Sequence, residues 1–295
     1  MMRQLMLLLC AAGALSAQTA GDAITANDII KKVAENQDAA AAGRSHFIYH
    51  QNVLVRMKRT NGKLAHEEER DYTVLPSPTG MKRELLSVKG KAQRGSRTVT
   101  YTDPAFRDKG IDIDHDLVQS FAEEFGGNKD ADIHASADSG GEKKDGVDTD
   151  LFPLRSQSLA SYKFKLKGSE KFQGHDVWAI EYEPVKRSWD DDDHCWHGEA
   201  LIDKAEYQPM LITSSFACKI PMAVKIMLGT NVQQIGFKVT YQKFEDGVWF
   251  PVTYGGEFKF RALFLYARSV GVGLINSDFK RTNVETAIKY EDAEK

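Results

Sequence analysis

The residues best able to do chemistry stand together in the stretch WDDDDHCWHGEALID, residues 189–203. Four aspartates, Asp190–Asp193, are followed at once by His194, Cys195 and His197. Carboxylates, imidazoles and thiolates are the usual ligands of zinc, and a metal-bound water can carry out hydrolysis. The stretch therefore poses a choice between a metal centre, a hydrolytic active site and a structural element at the start of a strand.

The spacing within this stretch argues against a metal centre. His194 and His197 are three residues apart, and an odd separation on a strand sends two side chains to opposite faces. The aspartate run lacks the alternation and the glycine of a calcium-binding loop. Zinc usually takes His or Cys ligands from two segments, and Cys218 is the one distant candidate. We expect no metal site, and Asp190–Asp193 is interpreted as a solvated acidic loop.

Common catalytic motifs do not occur in the sequence. The patterns G-x-S-x-G, H-E-x-x-H, C-x-x-C and G-x-x-x-x-G-K-[ST] are all missing. A second acidic run, DIDHD at residues 112–116, is interpreted as solvated. We therefore expect a protein that is not an enzyme and has no cofactor. A metal-dependent hydrolase that uses residues 190–199 is the weakest alternative.

Cys195 has a structural explanation. Residues 195–218 are predicted to form a hairpin around DKAEYQP. If Ile202 faces Leu211, the same antiparallel register places Cys195 opposite Cys218 on one face. The sequence therefore predicts a disulfide bond between Cys195 and Cys218, as suits a protein exported to an oxidising compartment.

The first twenty residues have the form of a cleaved secretory signal peptide. Arg3 gives a positive start, and Leu5–Leu15 is an apolar run that ends in small residues. This run is shorter than the ~20 residues that a membrane-spanning helix needs. A lipoprotein modified at Cys10 is less favoured, because Leu9 precedes that cysteine. We expect a periplasmic protein with a single domain over 21–295. A net charge of -3 gives no reason to expect nucleic acid as a partner.

Hydrophobic periodicity predicts one well-marked helix followed by strands. Residues 25–42 have apolar positions at helical spacing, with Thr25 and Asp28 placed as a capping box. After this helix the period changes to two, and Asn61-Gly62 predicts a type I′ hairpin turn. Further predicted features are helices at 115–125 and 220–228 and a flexible insertion at 126–150.

The strand pattern predicts the fold class. About eleven strands are expected, and they do not alternate with helices, which disfavours a parallel sheet. Long strands joined by hairpins are typical of one strongly curved antiparallel sheet or an incomplete β-barrel. We therefore predict a mainly β (α+β) fold, with the N-terminal helix and the short helices as a lid.

Aromatic and aliphatic side chains are concentrated on one strand face. In VWFPVTYGGEFKFRALFLY, residues 248–266, aromatic and polar positions alternate. Such a face is either the core of a two-layer sandwich or, where helices cover it incompletely, an apolar cavity suited to acyl chains. The residues predicted to line a lipid-binding cavity are Trp178, Tyr182, Trp196, Tyr241, Phe250, Tyr254, Phe258 and Phe260.

A family resemblance is carried by the capped helix, the Asn-Gly hairpin and the segments GHDVWAIEYEP, WHGEALIDKAEYQPMLI and YQKFEDGVWFPVTYGGEF. The sequence resembles the outer-membrane lipoprotein-sorting proteins, the LolA/LolB-like superfamily of periplasmic carriers, over residues 25–102 and 151–290. The resemblance implies an incomplete antiparallel barrel with helical lids around an apolar cavity. It also implies that the protein carries lipid, or the acyl chains of lipoproteins, toward the outer membrane between inner- and outer-membrane protein partners. No functional residue is carried over, because the arginine near the family's lid cannot be aligned here.

Two functions of different classes remain open. The first is a carrier without catalysis. The second is a lipid-binding sensor of envelope stress that has the same fold and acts through a protein partner. A pull-down distinguishes them, because a carrier retains lipoproteins whereas a sensor retains one membrane signalling protein.

Overall fold

A computed structural model of the protein describes residues 24–77, 80–107, 112–126, 154–187, 195–218, 231–244, 247–262 and 266–282. The predicted signal peptide, the Asp190–Asp193 run and the helix at 220–228 lie outside these residues, as does all but the first residue of the predicted insertion. Among the described helices, none has the length and apolar character needed to cross a membrane.

Two α-helices and eleven strands make up the described part of the chain, so the predicted number of strands is confirmed. The helices are α1 (Ala26–Arg44) and α2 (Ile113–Gly126). The strands are β1 (Phe47–Arg59), β2 (Leu64–Ser77), β3 (Gly80–Arg94), β4 (Arg97–Tyr101), β5 (Tyr162–Phe172), β6 (His175–Pro184), β7 (Trp196–Asp203), β8 (Pro209–Phe216), β9 (Asn231–Lys243), β10 (Trp249–Ala262) and β11 (Tyr266–Arg281).

The strands form one antiparallel sheet in the order β4-β3-β2-β1-β11-β10-β9-β8-β7-β6-β5. Neighbours in this order are consecutive in the chain, with one exception. The first strand, β1, pairs with the last strand, β11. Within the described ranges, β4 and β5 end the order without pairing to each other, so the sheet is not closed. The predicted fold class, mainly β with an open antiparallel sheet, is confirmed.

Helix α1 lies across several strands of the sheet. Strands β5 and β10 are five positions apart in the sheet order, which would be about 24 Å in a flat sheet at ~4.8 Å per strand. Helix α1 nevertheless contacts both strands. Helix α1 has 19 residues and is about 28 Å long at ~1.5 Å per residue, so it crosses the strands between β10 and β5, with its C-terminal residue Arg44 hydrogen-bonded to Trp249 at the start of β10.

Helix α1 begins with the capping box that the sequence predicts. Thr25 Oγ1 accepts a hydrogen bond from the backbone N–H of Asp28 at 3.2 Å, and Asp28 Oδ2 accepts one from the backbone N–H of Thr25 at 3.1 Å. The apolar stripe along one side of the helix is buried against the sheet. Its residues are Ile29, Ile30, Val33 and Ala34.

The core is divided between the two helices. The α1 cluster joins the apolar stripe of α1 to strands β5–β9, with Ile180, Ile202 and Ile212 fully buried. The α2 cluster joins Val118 and Ala122 of α2 to apolar side chains of β1, β2 and β11. The two helices therefore pack on different parts of one sheet.

One local prediction is wrong in detail. A type I′ turn needs positive φ at both central residues, but only Gly62 of the Asn61-Gly62 pair has one, at 78°. Gly62 donates its backbone N–H to the carbonyl oxygen of Arg59 at 2.9 Å, and Arg59 donates its own to Lys63 at 2.9 Å. The turn is therefore a three-residue loop with glycine in the left-handed region, a common alternative for hairpins.

Candidate functional site

The face that both helices cover is fixed by the strand register, and we call it the concave face. One row of paired residues on this face crosses all eleven strands from β5 to β4. The row reads Phe164, Tyr182, Gly198, Ser214, Phe237, Gly256, Val272, Val55, Glu68, Gly90 and Tyr101. It is largely aromatic and apolar from β5 to β1 and turns polar at β2, so the face has an apolar part and a polar end.

Three of the predicted lipid-binding residues are wholly buried by the protein's own side chains. Tyr182 and Tyr241 belong to the α1 cluster, at 0% and 2% exposure. Phe250 is 1% exposed in a third cluster, where its ring centroid lies 5.0 Å from that of Phe47 and 4.6 Å from that of Phe279. None of the three presents surface to a ligand in this structure.

Four of the predicted residues are half-buried and lie on the concave face. Trp178, Trp196 and Tyr254 pack against the edge of the α1 cluster, and Phe258 packs against the α2 cluster. The eighth, Phe260, is placed on β10 opposite Val232 and Arg268 by the register. Its side chain lies outside what the structure describes. The role of all eight in lipid binding stays a prediction.

Four half-buried aromatic residues and the buried Phe237 form a strip across β7–β10, which we call the aromatic strip. Its members are Trp196, Phe216, Phe237, Tyr254 and Phe258. The ring centroid of Phe237 lies 4.9 Å from that of Trp196 and 5.6 Å from that of Tyr254. At one end Phe258 contacts Phe121 of α2, with ring centroids 5.1 Å apart. The strip therefore runs from the rim of the α1 cluster to the underside of α2.

The polar end of the concave face lies beneath α2 and was missed by sequence reasoning. His66, Glu68 and Arg70 occupy alternate positions of β2 and are 0%, 1% and 3% exposed. Glu68 Oε1 accepts a hydrogen bond from Nε of Arg70 at 2.6 Å and also binds the Tyr101 hydroxyl through its other oxygen. The sequence does show polar residues at alternate positions of β2. Sequence reasoning did not establish which positions of this strand point inward, so their burial was not predicted.

Burial shifts the pKa values of the titratable side chains in this polar end. Desolvation, followed by the nearby His115, lowers the pKa of His66 to about 4. The pKa of Tyr101 is raised, first by burial and then by the hydrogen bond to Glu68. His66 is therefore neutral at pH 7. His66, Asp112 and His115 each offer a ligand atom, and these atoms lie within 4.8 Å of one another.

Asp114 and His115 of the DIDHD segment are not solvated as the sequence suggested, whereas Ile113 and Asp116 are exposed. Asp114 Oδ1 accepts a hydrogen bond from Nε of Arg268 at 2.7 Å, and its Oδ2 accepts one from Nη2 at 2.9 Å. Tyr266 also donates to this carboxylate. Burial opposes ionisation of Asp114, but the bonds from Arg268 and Tyr266 outweigh it and lower the pKa. Asp114 forms an ion pair because β11, which is far away in the chain, supplies Arg268 as its cationic partner.

The predicted disulfide bond between Cys195 and Cys218 is confirmed, with Cα atoms 5.2 Å apart. The register used to predict it is wrong by one residue, because Leu201 rather than Ile202 faces Leu211. Both cysteines lie just beyond the paired ends of β7 and β8, where the chain does not follow strand alternation. The bond therefore forms despite the shifted register, and Cys195 is not a free thiol.

Two open grooves lie on the opposite, convex face of the sheet. Their volumes are about 490 and 460 Å³, and Lys58, Glu257 and Ser269 line both. Neither groove is lined by a predicted lipid-binding residue. The grooves lie over the convex side of β1, β10 and β11, so they are separate from the aromatic strip.

Comparison with known proteins gives structural similarity at low identity. No family model matches the sequence, and no curated protein matches it. Solved structures similar to this chain include an outer-membrane lipoprotein-sorting protein domain from Vibrio parahaemolyticus, with 14% identity, a TM-score of 0.35, and coverage of 89% of this chain and 96% of that one. A LolA superfamily protein from Nitrosomonas europaea has 12% identity, a TM-score of 0.32, and coverage of 92% and 99%. The lipoprotein LppX from Mycobacterium tuberculosis has 12% identity, a TM-score of 0.27, and coverage of 86% and 95%. The second of these descriptions names the superfamily that the sequence resembles, and no functional residue follows from any of the three.

Proposed function

We propose that the protein is a carrier that binds lipid, or the acyl chains of lipoproteins, on the concave face. The observation that carries this proposal is the aromatic strip. Residues such as Trp196, Tyr254 and Phe258 are large and half-buried, and they pack at the borders of the two helix-covered clusters. Apolar surface that is held open between packed regions is suited to an apolar ligand.

Burial of methylene groups provides enough free energy for such binding. Each buried CH₂ contributes about 0.8 kcal/mol, so an acyl chain that buries about ten of them gains about 8 kcal/mol. This corresponds to a dissociation constant of about 1 μM before ordering costs. Binding therefore requires no catalytic group, which agrees with a carrier.

The two helices differ in how they are held, which suggests where an acyl chain enters. Helix α1 buries a continuous apolar stripe in the core. Helix α2 is anchored at its first turn by the Asp114–Arg268 pair, with smaller apolar contacts from Val118 and Ala122. Because Phe121 of α2 packs on Phe258 at one end of the aromatic strip, α2 is the lid that opens over this strip.

The disulfide bond supports export, because such bonds persist in oxidising compartments. We place the carrier in the periplasm, where it moves its cargo toward the outer membrane between membrane protein partners. A sensor with the same fold would bind the same ligand, and no observed contact favours that second function.

Binding of a fluorescent fatty-acid probe tests the proposal. Tyr254→Glu and Phe258→Glu place a charge in the aromatic strip and should weaken binding at least about 10-fold, since one buried charge costs more than 1.4 kcal/mol. Ile275→Glu is the matched control, because Ile275 is 54% exposed and pairs with Thr253 on the convex side. Equal weakening by the control, or wild-type affinity in both strip variants with unchanged circular dichroism, would refute the proposal.

A further inference from the structure

Three ligand-bearing side chains meet beneath the start of α2, away from the aromatic strip. His66 comes from β2, whereas Asp112 and His115 come from the chain that enters α2 and from its first turn. The ring centroids of the two histidines are 5.2 Å apart, and both residues are buried, at 0% and 2% exposure. Two imidazoles and one carboxylate are a donor set that zinc binds.

Hydrogen bonds around His66 determine which of its ring nitrogens can bind a metal. The Tyr101 hydroxyl donates its proton to Glu68, because a carboxylate only accepts. The same hydroxyl oxygen lies 2.8 Å from Nε2 of His66, so it accepts the proton of that nitrogen. Nε2 is therefore protonated, and Nδ1 keeps its lone pair. Nδ1 is buried and has no hydrogen-bond partner.

The Glu68–Tyr101–His66 relay has the form that orients metal-binding histidines. In metal sites the non-ligating nitrogen of a histidine usually donates to an oxygen that is itself hydrogen-bonded, which fixes the ring and its tautomer. Here the relay holds the ring so that an unpartnered lone pair faces inward. A buried lone pair without a partner is costly, and a bound cation removes that cost.

The other two ligands are available at the same place. Nδ1 of His115 is also buried without a hydrogen-bond partner, but Nη1 of the exposed Arg107 lies 3.2 Å from Nε2 and can only donate, so Nε2 accepts and Nδ1 carries the ring proton. A cation bound at Nδ1 therefore moves that proton to Nε2, and the exposed Arg107 side chain turns away from the ring. Asp112 Oδ1 accepts from the backbone N–H of His115 at 3.1 Å and so caps α2. Its Oδ2 forms an ion pair with Arg94. A carboxylate oxygen has more than one lone pair, so Asp112 can bind a cation and keep these contacts.

We infer that His66, Asp112 and His115 bind one divalent cation of the zinc type, with water as the fourth ligand. Ligand atoms around a tetrahedral zinc ion are about 3.4 Å apart, because the bonds are about 2.0–2.1 Å long. Since one possible ligand atom from each of the three residues lies within 4.8 Å of the other two, binding draws α2 toward β2. The cation fastens the lid at the polar end of the concave face, a regulatory role beyond acyl-chain binding.

Zinc titration of metal-free protein without a polyhistidine tag tests this inference. Wild type should bind one zinc ion per chain in competition with a chromophoric chelator, and its X-ray absorption spectrum should show imidazole scattering. His66→Gln and His115→Gln should weaken binding at least about 10-fold, and Tyr101→Phe about 10-fold through loss of the relay. Arg94→Gln should strengthen binding, because it removes a positive charge beside Asp112.

Two control variants separate this site from other histidines. His46→Gln changes an exposed histidine, and His197→Gln changes a histidine four residues after the acidic run. Both should bind zinc like wild type. If a histidine variant does not fold, Asp112→Asn serves instead, because asparagine keeps the helix cap and loses the charge. Failure of wild type to bind one zinc ion, or wild-type affinity in folded His66→Gln, His115→Gln and Asp112→Asn, would overturn the inference. Neither result affects the acyl-binding proposal.

Discussion

Removal of the Cys195–Cys218 disulfide should destabilise the protein by an amount that follows from its loop. The cysteines are 23 residues apart in sequence. The chain-entropy relation for a closed loop of this size gives about 3.4 kcal/mol at 25 °C. For a domain of this size 1 kcal/mol corresponds to about 2–4 °C in melting temperature. The double variant Cys195→Ala/Cys218→Ala should therefore melt about 7–14 °C below the oxidised wild type.

Differential scanning calorimetry measures this loss, and a reductant provides the internal control. Dithiothreitol should lower the melting temperature of wild type to that of the double variant and leave the variant unchanged. If the double variant melts within about 2 °C of oxidised wild type, a change worth less than about 1 kcal/mol, then the bond does not restrict the unfolded chain as argued. Denaturant unfolding of the same pair gives an independent value for the difference.

Three further changes test other parts of the structure. Thr25→Ala removes the cap of α1 and should cost about 1 kcal/mol by urea unfolding; no change would contradict the capping box. Gly198→Ala should lower the melting temperature far more than Gly168→Ala, because a Cβ at Gly198 would lie 1.8 Å from the Thr213 carbonyl oxygen whereas Gly168 has open space. Equal melting temperatures would refute this packing. Hydrogen bonds from Lys243 and Trp249 lower the pKa of Glu206, so Glu206 stabilises the fold above its unfolded pKa and loses that contribution as pH falls through its lower folded pKa. Tryptophan fluorescence should report a midpoint below 4.5, and a midpoint at or above it would contradict the contact.

The strand framework could be predicted from the sequence because it is encoded locally. Alternation of apolar and polar residues marks each strand, and short turns join consecutive strands into hairpins. The capping box of α1 involves Thr25 and Asp28, only three residues apart. Features of this kind need no knowledge of distant contacts, and the fold class follows from them.

The polar end of the concave face could not be predicted because its partners are remote in sequence. His66 lies against Tyr101 of β4 and His115 of α2, and the pairing of these elements is set by the tertiary fold. Asp114 likewise meets Arg268 only after β11 pairs with β1. The inward polar residues of β2 are buried only because α2 packs over them.

Bulges change the register within single strand pairs. The pairing of β7 with β8 shifts between Leu201 and Ile202, and that of β9 with β10 shifts after Pro251. A single extra residue reverses the face of every residue beyond it. For this reason Phe250 packs in a cluster apart from Tyr254, although sequence parity groups them together.

Photo-crosslinking with a diazirine fatty acid tests the central claim most directly, because it reports both binding and position. The account predicts one acyl chain per protein, with labelled peptides from the aromatic strip, around Trp196, Phe216 and Tyr254. Excess unlabelled fatty acid should abolish the labelling. Labels confined to the convex grooves around Lys58 and Ser269, or labelling that excess fatty acid does not compete away, would contradict the account.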